Sequence, residues 1–362
     1  MPTSRVSAIP DHLERFASSD ITGLFSLRTL ANELASRADR MRSGCPHSHP
    51  RGNTVVVPIL EDVLGEIAAV AMVAQDFRRA DLRVFVAKTI EALPVAVRGP
   101  MAAAGRVYLR ADDTGDGRRV EVLGDLAAAD HVVFLVPGMT NSLDNYETQV
   151  RPKAVALYNE MRAQLGKGAQ VAVIAWLGYN TPDATVFGLI DASTSVSAEN
   201  GARQLRADLD LLHQHGMRAH VTIVGHSYGS VVAGRAMKED PHHPLAVNDV
   251  VVVGSPGMDA NSRHELMSPD VRVWAGKTST PGVPAAVVMA SGGSLFLLDK
   301  GLRLIGGSDV VPMAPVHGPD PAAKGFGARS LPTDGHGHSE YFMPGTRSLR
   351  SIAGVAVGFP KP

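Results

Sequence analysis

The pattern that most constrains the fold is a series of short apolar runs separated by helical windows, which begins after residue 100. Such runs are expected for strands that are covered on both faces. They occupy residues 131–136, 170–176, 220–224, 249–253 and 271–274. Buried strands that alternate with helices favour a mostly parallel sheet with helices on both faces, so we predict an α/β fold.

Two further patterns extend this sheet and its helical layers. Residues 106–110 and 119–123 flank the segment ADDTGDG, whose Asp and Gly residues favour a turn, so we predict a β-hairpin. Residues 346–357 predict a final helix.

The first hundred residues show a different pattern, because apolar side chains recur there at helical spacing over residues 11–42 and 60–77. We therefore expect a helical N-terminal segment, residues 1–100, ahead of the α/β domain, residues 101–362.

The composition limits the partners of such a chain. Its 362 residues, 44% of them apolar, suffice for one large core, and a formal net charge of −1 gives no field that would recruit nucleic acid or an anionic membrane. The single cysteine, Cys45, excludes an intramolecular disulfide. The N-terminus lacks the pattern of a secretory signal, and the most hydrophobic windows are too short to span a bilayer. We expect a cytoplasmic protein without a membrane span, and the oligomeric state stays open.

Ser227 lies between two glycines where a predicted strand ends, in the segment VTIVGHSYGS. Strand 221–224 runs directly into Gly225, and a helix is predicted over residues 230–237. Strand, tight turn and helix form the setting of a nucleophile elbow, in which a strained turn presents the serine hydroxyl above the sheet. Gly225 and Gly229 leave room for the neighbouring backbone. The alternative is an ordinary glycine-rich turn.

A serine nucleophile needs a histidine as general base and a carboxylate that orients it, and in sheets of this kind the acid and then the histidine follow the serine. The downstream histidines are His242, His243, His264, His317, His336 and His338. The segment TDGHGHSEYF is best placed, since a glycine-flanked loop there can bring an imidazole over the elbow. Spacing leaves both of its histidines open. The candidate acids are Asp259, Asp299 and Asp309.

Attack on a carbonyl also needs two N–H donors for the oxyanion. One is the backbone N–H of Tyr228, which follows the nucleophile. The other comes from the loop after the third strand, VVFLVPGMTNSLDN, where Met139 or Thr140 supplies the N–H.

Neither of two loop segments predicts a metal site. SGCPHSHPRGN contains Cys45, His47 and His49 but is followed by no fourth ligand at a recognisable spacing. ADDTGDG lacks the glutamate that completes a calcium loop. We interpret both as plain loops.

A set of motifs resembles a bacterial α/β-hydrolase family that is known as a domain of unknown function. The likeness covers about residues 105–358 and is carried by ADHVVFLVPGMTNSLDN, VTIVGHSYGS, VVVVGSPG, VHGPDP, GFGA and GHSEYF. It implies an α/β-hydrolase fold with Ser227 as nucleophile, and it favours His338, which begins the H-S-x-Y motif, as the base.

The resemblance also bears on the acid. Family members carry Asp-Pro soon after the strand that matches residues 271–274, and this chain does not. Its segment SDVVPMAPVHGPDP is similar to the family's acid segment, with Val310 in place of proline and displaced by an insertion at about 277–308. The resemblance therefore implies Asp309 as the acid, with Asp259 second.

These observations predict a serine hydrolase that cleaves an ester or thioester with a hydrophobic acyl group and needs no metal or organic cofactor. The insertion is apolar and glycine-hinged, so we expect it to form either a lid or pocket wall for the acyl group, or else extra core packing or a dimer contact. Two alternatives stay open: an acyltransferase or peptidase with the same triad, and a degenerate hydrolase fold that serves as an interaction module.

Overall fold

The computed structural model describes residues 75–93, 104–113, 117–168, 170–183, 192, 195–238, 240, 242–266, 268–277, 317–334, 337 and 340–358. The chain divides into two units, Met1–Asp81 and Leu82–Pro362, and the sheet lies in the second. Residues 75–92 are helical. Most of the predicted helical N-terminal segment and of the predicted insertion lies outside the described residues. Both stay predictions, as does the boundary near residue 100.

The described residues form one eight-stranded sheet. Its strands are β1 (Val107–Asp112), β2 (Arg118–Leu123), β3 (His131–Val136), β4 (Val171–Leu177), β5 (His220–His226), β6 (Asp249–Val253), β7 (Arg272–Gly276) and β8 (Arg329–Ser330). They lie in the order β1-β2-β4-β3-β5-β6-β7-β8. β1 pairs antiparallel with β2 and β2 pairs antiparallel with β4, while all later neighbours are parallel. The predicted hairpin and the five predicted buried strands are confirmed.

Helices connect these strands and cover the sheet. They are α1 (Arg151–Leu165), α2 (Val196–Gln214), α3 (Gly229–Lys238) and α4 (Arg347–Ala356). The hydroxyl of Thr346 caps α4 by accepting a hydrogen bond from the Leu349 N–H at 3.2 Å. A side-chain oxygen at this position satisfies an N–H that has no partner within the helix. The predicted final helix is confirmed.

The core has two halves, one on each face of the sheet, because successive side chains of a strand point to opposite faces. On β3, Val132 and Phe134 join one cluster and Val133 and Leu135 join the other, and all four are at most 2% exposed. The first cluster includes side chains of α2 and α3, and the second includes side chains of α1 and α4. The α/β architecture predicted from the sequence is confirmed.

A buried carboxylate, Asp249, ties together the amino ends of β5, β6 and β7. It accepts hydrogen bonds from Arg272 Nε at 2.7 Å and Nη2 at 2.6 Å, from Trp274 Nε1 at 2.8 Å, and it lies 2.8 Å from His220 Nε2. Burial alone raises the pKa of this carboxyl. The three hydrogen-bonding partners outweigh burial and lower the pKa to about 2.

Candidate active site

Ser227 lies in a strained turn directly after β5. Its φ of 56° is in the left-handed region, which non-glycine residues occupy at a cost. The Ser227 N–H donates to the Val253 carbonyl at 3.0 Å, and its own carbonyl accepts from the Ser230 N–H at 3.0 Å and from the Ser230 hydroxyl. The end of β6 and the start of α3 therefore hold this conformation in place.

The two glycines that flank the turn fill positions where no side chain fits. A Cβ on Gly225 would lie 2.8 Å from the Gly229 carbonyl oxygen. A Cβ on Gly229 would lie 2.9 Å from the Pro137 carbonyl oxygen and closer still to that of Val136. The turn therefore packs against the end of β3 without intervening side chains.

The loop after β3 passes directly beside the Ser227 hydroxyl. A Cβ on Gly138 would lie 2.7 Å from Ser227 Cβ and 3.1 Å from Ser227 Oγ. Met139 follows Gly138 in the chain. The next N–H, that of Thr140, donates to the Pro182 carbonyl at 2.8 Å.

Side chains bind several carbonyls of this loop. The Tyr179 hydroxyl donates to the Pro137 carbonyl at 2.7 Å. The Asn141 amide donates to the carbonyls of Gly138 and Met139, at 2.9 Å each. Sequence reasoning assigned no role to Asn141, although an Asn close behind a Pro-Gly turn is typical of a side chain that binds nearby backbone.

The C-terminal segment that contains the predicted base packs against the residue before Ser227. The rings of Tyr341 and Phe342 meet the His226 ring edge-on, at centroid distances of 6.1 and 5.8 Å. The Gly337 N–H donates a hydrogen bond to Glu340 Oε2 at 3.0 Å. His336 and His338 lie outside the described residues.

Of the three candidate acids, the structure describes Asp259. Asp299 and Asp309 lie outside the described residues. Asp259 follows β6, has a φ of 56°, and forms an ion pair with the Arg235 guanidinium. Its carboxylate also lies 3.9 Å from His317 Nδ1, and the His317 ring and the Arg235 charge hold the pKa of Asp259 below its ordinary value.

His317 forms a buried cluster with residues from three other parts of the chain. Its side chain is 1% exposed, and its Nδ1 lies 3.2 Å from the Ser195 hydroxyl. Its ring and that of Tyr228 form an edge-to-face pair with a centroid distance of 5.6 Å. Tyr228, the predicted donor after the nucleophile, is fully buried. The sequence analysis included His317 among the candidate bases but assigned it no role. The motif VHGPDP, which contains this histidine, was the feature of the sequence that pointed to it.

The described residues contain neither a group of metal ligands nor a helix that could span a membrane. Among them, no three His, Cys, Asp or Glu side chains are grouped as ligands of a metal ion. None of the helices in the described part of the chain is both long and apolar enough to cross a membrane. The loop with Cys45, His47 and His49 lies outside that part.

Comparison with protein families gives a match over residues 112–288, to a model described as alpha/beta hydrolase. This segment belongs to the α/β-hydrolase family. The match runs from the end of β1 past β7 and so includes Ser227 and the loop after β3. The resemblance and the α/β-hydrolase fold predicted from the sequence are both confirmed.

The relatives of this α/β-hydrolase domain include mycobacterial proteins whose names give no activity. An uncharacterized protein of Mycobacterium tuberculosis (strain H37Rv) is 31% identical over 323 residues, which are 83% of this chain and 46% of that protein. An uncharacterized protein of Mycobacterium bovis is 31% identical over 189 residues, 47% of this chain and 65% of that protein. The chain thus spans about half the length of the first relative and just under two thirds of the second.

Among solved structures, the chain is similar to a hyperthermophilic esterase from the archaeon Pyrobaculum calidifontis. The sequence identity is 12% and the TM-score is 0.40, with 83% of this chain and 97% of that chain covered.

Proposed function

We propose that the α/β-hydrolase domain is a serine hydrolase that cleaves a carboxylic ester or thioester with a hydrophobic acyl group. The observation that carries this proposal is the conformation of Ser227, left-handed and beside the Gly138 backbone. Such a conformation costs about 1–3 kcal/mol at a residue other than glycine. An ordinary turn would carry glycine there, so the strained serine supports a nucleophile rather than a turn residue.

In the proposed reaction, Ser227 Oγ attacks the acyl carbon while His338 accepts the hydroxyl proton. The alcohol or thiol then leaves with that proton, and an acyl-enzyme remains. Water, deprotonated by the same histidine, releases the acid and restores the serine. Asp309 orients the imidazole, and the N–H groups of Met139 and Tyr228 stabilise the oxyanion. No step calls for a metal or an organic cofactor.

The hydrogen bonds of the loop after β3 favour Met139 over Thr140 as the first oxyanion donor. The Thr140 N–H is already bound to the Pro182 carbonyl. Within the described part of the chain, the Met139 N–H has no acceptor. A donor without a protein acceptor beside the nucleophile is what an oxyanion hole requires.

The packing of the C-terminal segment supports His338. Tyr341 and Phe342 lie against His226, the residue before the nucleophile, and both are buried. His338 precedes Tyr341 by three residues, and three residues of extended chain span at most about 11 Å, which supports this histidine as the base.

The contacts of Asp259 support Asp309 as the acid. The carboxylate of Asp259 is paired with Arg235 and faces the His317 ring, so it is already engaged. Asp309 keeps the role that the family resemblance gives it.

An active-site fluorophosphonate tests the nucleophile. We expect it to label the wild-type protein and to leave Ser227→Ala unlabelled, because a serine hydroxyl that no base activates is too weak a nucleophile to react with the probe. Ser351→Ala, which removes a hydroxyl from α4, is the control and should be labelled like the wild type. A wild type that stays unlabelled, or a Ser227→Ala variant that is labelled, would remove the proposal. A series of p-nitrophenyl esters of increasing acyl length then defines the preferred acyl group.

Paired substitutions test the other two triad members. Asp309→Asn should lower kcat by roughly 10⁴-fold, as loss of an orienting acid does, while Asp259→Asn should change it less than tenfold. His338→Ala should abolish turnover and His336→Ala should not. The reverse result in either pair transfers the role to the other residue.

A further inference from the structure

One side chain, Asn141, binds two successive carbonyls of the loop that passes beside Ser227. Its Nδ2 lies 2.9 Å from the Gly138 oxygen and 2.9 Å from the Met139 oxygen. A primary amide carries two N–H donors, so one Asn can satisfy both carbonyls. The side chain therefore fixes the orientation of two consecutive peptide planes.

The orientation of a carbonyl also sets that of an N–H. In a trans peptide the carbonyl of one residue and the N–H of the next share a plane and point in opposite directions. The Gly138 carbonyl faces Asn141, so the Met139 N–H points away from Asn141. In the same way the Met139 carbonyl faces Asn141, and the Thr140 N–H points away, to the Pro182 carbonyl at 2.8 Å.

The first of these two peptide planes is the one beside the nucleophile, because a Cβ on Gly138 would lie 3.1 Å from Ser227 Oγ. We propose that Asn141 is a positioning residue that aims the Met139 N–H at the oxyanion formed on attack by Ser227. The proposal rests on the proposed function and adds a residue to it. Asn141 acts through the backbone and does not touch the substrate.

This role predicts a particular kinetic signature. The oxyanion exists in the transition state and not in the bound ester, so an N–H aimed at it accelerates the reaction without tightening substrate binding. Removal of one oxyanion donor lowers kcat by about 10²–10³-fold. A donor that is misdirected rather than absent should cost less, about 10–100-fold in kcat, with KM changed less than threefold.

The same loop offers a matched control. Asn145 Nδ2 donates to the Thr140 carbonyl at 2.6 Å, so it is also an Asn amide bound to a loop carbonyl. The peptide that it holds is the one after Thr140, which does not contain the Met139 N–H. If Asn141 only stabilises the loop conformation, Asn145→Ala and Asn141→Ala should lower kcat by equal factors.

The experiment measures kcat and KM for p-nitrophenyl butyrate, together with inhibition by an alkyl trifluoromethyl ketone, whose adduct with serine carries an oxyanion. The variants are Asn141→Asp, Asn141→Ala and Asn145→Ala. Asn141→Asp keeps the side-chain shape but sets a carboxylate against the two carbonyls. Both Asn141 variants should lose 10–100-fold in kcat and a similar factor in ketone affinity, while Asn145→Ala should lose less than threefold in either. Thermal unfolding midpoints show whether each variant is folded, and either folded Asn141 variant suffices.

The outcomes separate this inference from the function on which it rests. A wild type that neither hydrolyses the ester nor reacts with fluorophosphonate at Ser227 removes both. An active wild type with folded Asn141 variants that retain kcat within threefold overturns the role of Asn141 and leaves the hydrolase standing. Equal losses in Asn145→Ala, or a loss expressed in KM alone, also overturn it, because either would mean that Asn141 only fastens the loop.

Discussion

Replacement of Asp249 by Asn isolates the contribution of one buried charge to the stability of the sheet. The Asp249 side chain is fully enclosed at the amino ends of β5, β6 and β7, where it accepts two hydrogen bonds from Arg272 and one from the Trp274 indole. Asn has the same shape, so the substitution removes the charge and one acceptor without leaving a cavity.

The size of the effect follows from the pKa. Asp249 has a pKa of about 2 in the folded protein, against an ordinary value of 3.8. This difference between the folded and unfolded pKa corresponds to about 2 kcal/mol of unfolding free energy. Because the folded pKa is the lower one, this contribution is complete above about pH 4 and is lost as the pH falls towards 2.

Urea denaturation at a series of pH values measures the contribution of the Asp249 charge to the unfolding free energy. At about pH 6, Asp249→Asn should be less stable than the wild type by at least 2 kcal/mol, since Arg272 loses its buried partner. The difference should shrink as the pH falls from about 4 to 2, because protonation removes the same charge from the wild type. Asp270→Asn, at an exposed position, is the control and should change little. A difference between wild type and Asp249→Asn that stays constant over this range would refute the reasoning.

Two further substitutions probe the elbow. Gly138→Ala places a methyl group 2.7 Å from Ser227 Cβ, so kcat for p-nitrophenyl butyrate should fall at least tenfold; unchanged kinetics would show that the loop can move aside. Ser227→Gly should raise the unfolding free energy in urea by about 1 kcal/mol relative to Ser227→Ala, because glycine adopts a φ of 56° without strain. Equal stability of the two variants would contradict a strained turn.

The parts of this fold that could be predicted from the sequence are those that depend on local pattern. Strands covered on both faces give short apolar runs, and each predicted run is a strand whose ends differ from the prediction by at most two residues. β7, for example, was predicted over 271–274 and spans Arg272–Gly276, since its ladder continues where the Leu331 N–H bonds the Ala275 carbonyl. The glycines around Ser227 are also a local signal, because the tight turn itself requires them.

Features that depend on contacts between distant segments gave no such signal. β8 has two residues, Arg329 and Ser330, both exposed, so no apolar run marks it. His317 meets Ser195 across 122 positions, and no spacing rule connects them. The Thr140 N–H donates to the Pro182 carbonyl, 42 residues further along the chain, so the sequence could not choose between Met139 and Thr140 as the oxyanion donor.

The stabilising charge and the strained serine lie at opposite ends of the same strands. β5 begins at His220, beside Asp249, and ends at His226, directly before Ser227, so about 20 Å of strand separates the two features. The strain at Ser227 lowers the unfolding free energy by about 1–3 kcal/mol. The charge network at the amino ends of the strands raises it by about as much. Because the two features share no contacts, their substitutions should act independently. Asp249→Asn should therefore lower the unfolding free energy while leaving kcat of the folded fraction unchanged. A fall in both would mean that strain in the turn at Ser227 is coupled through β5 to the amino ends of the strands.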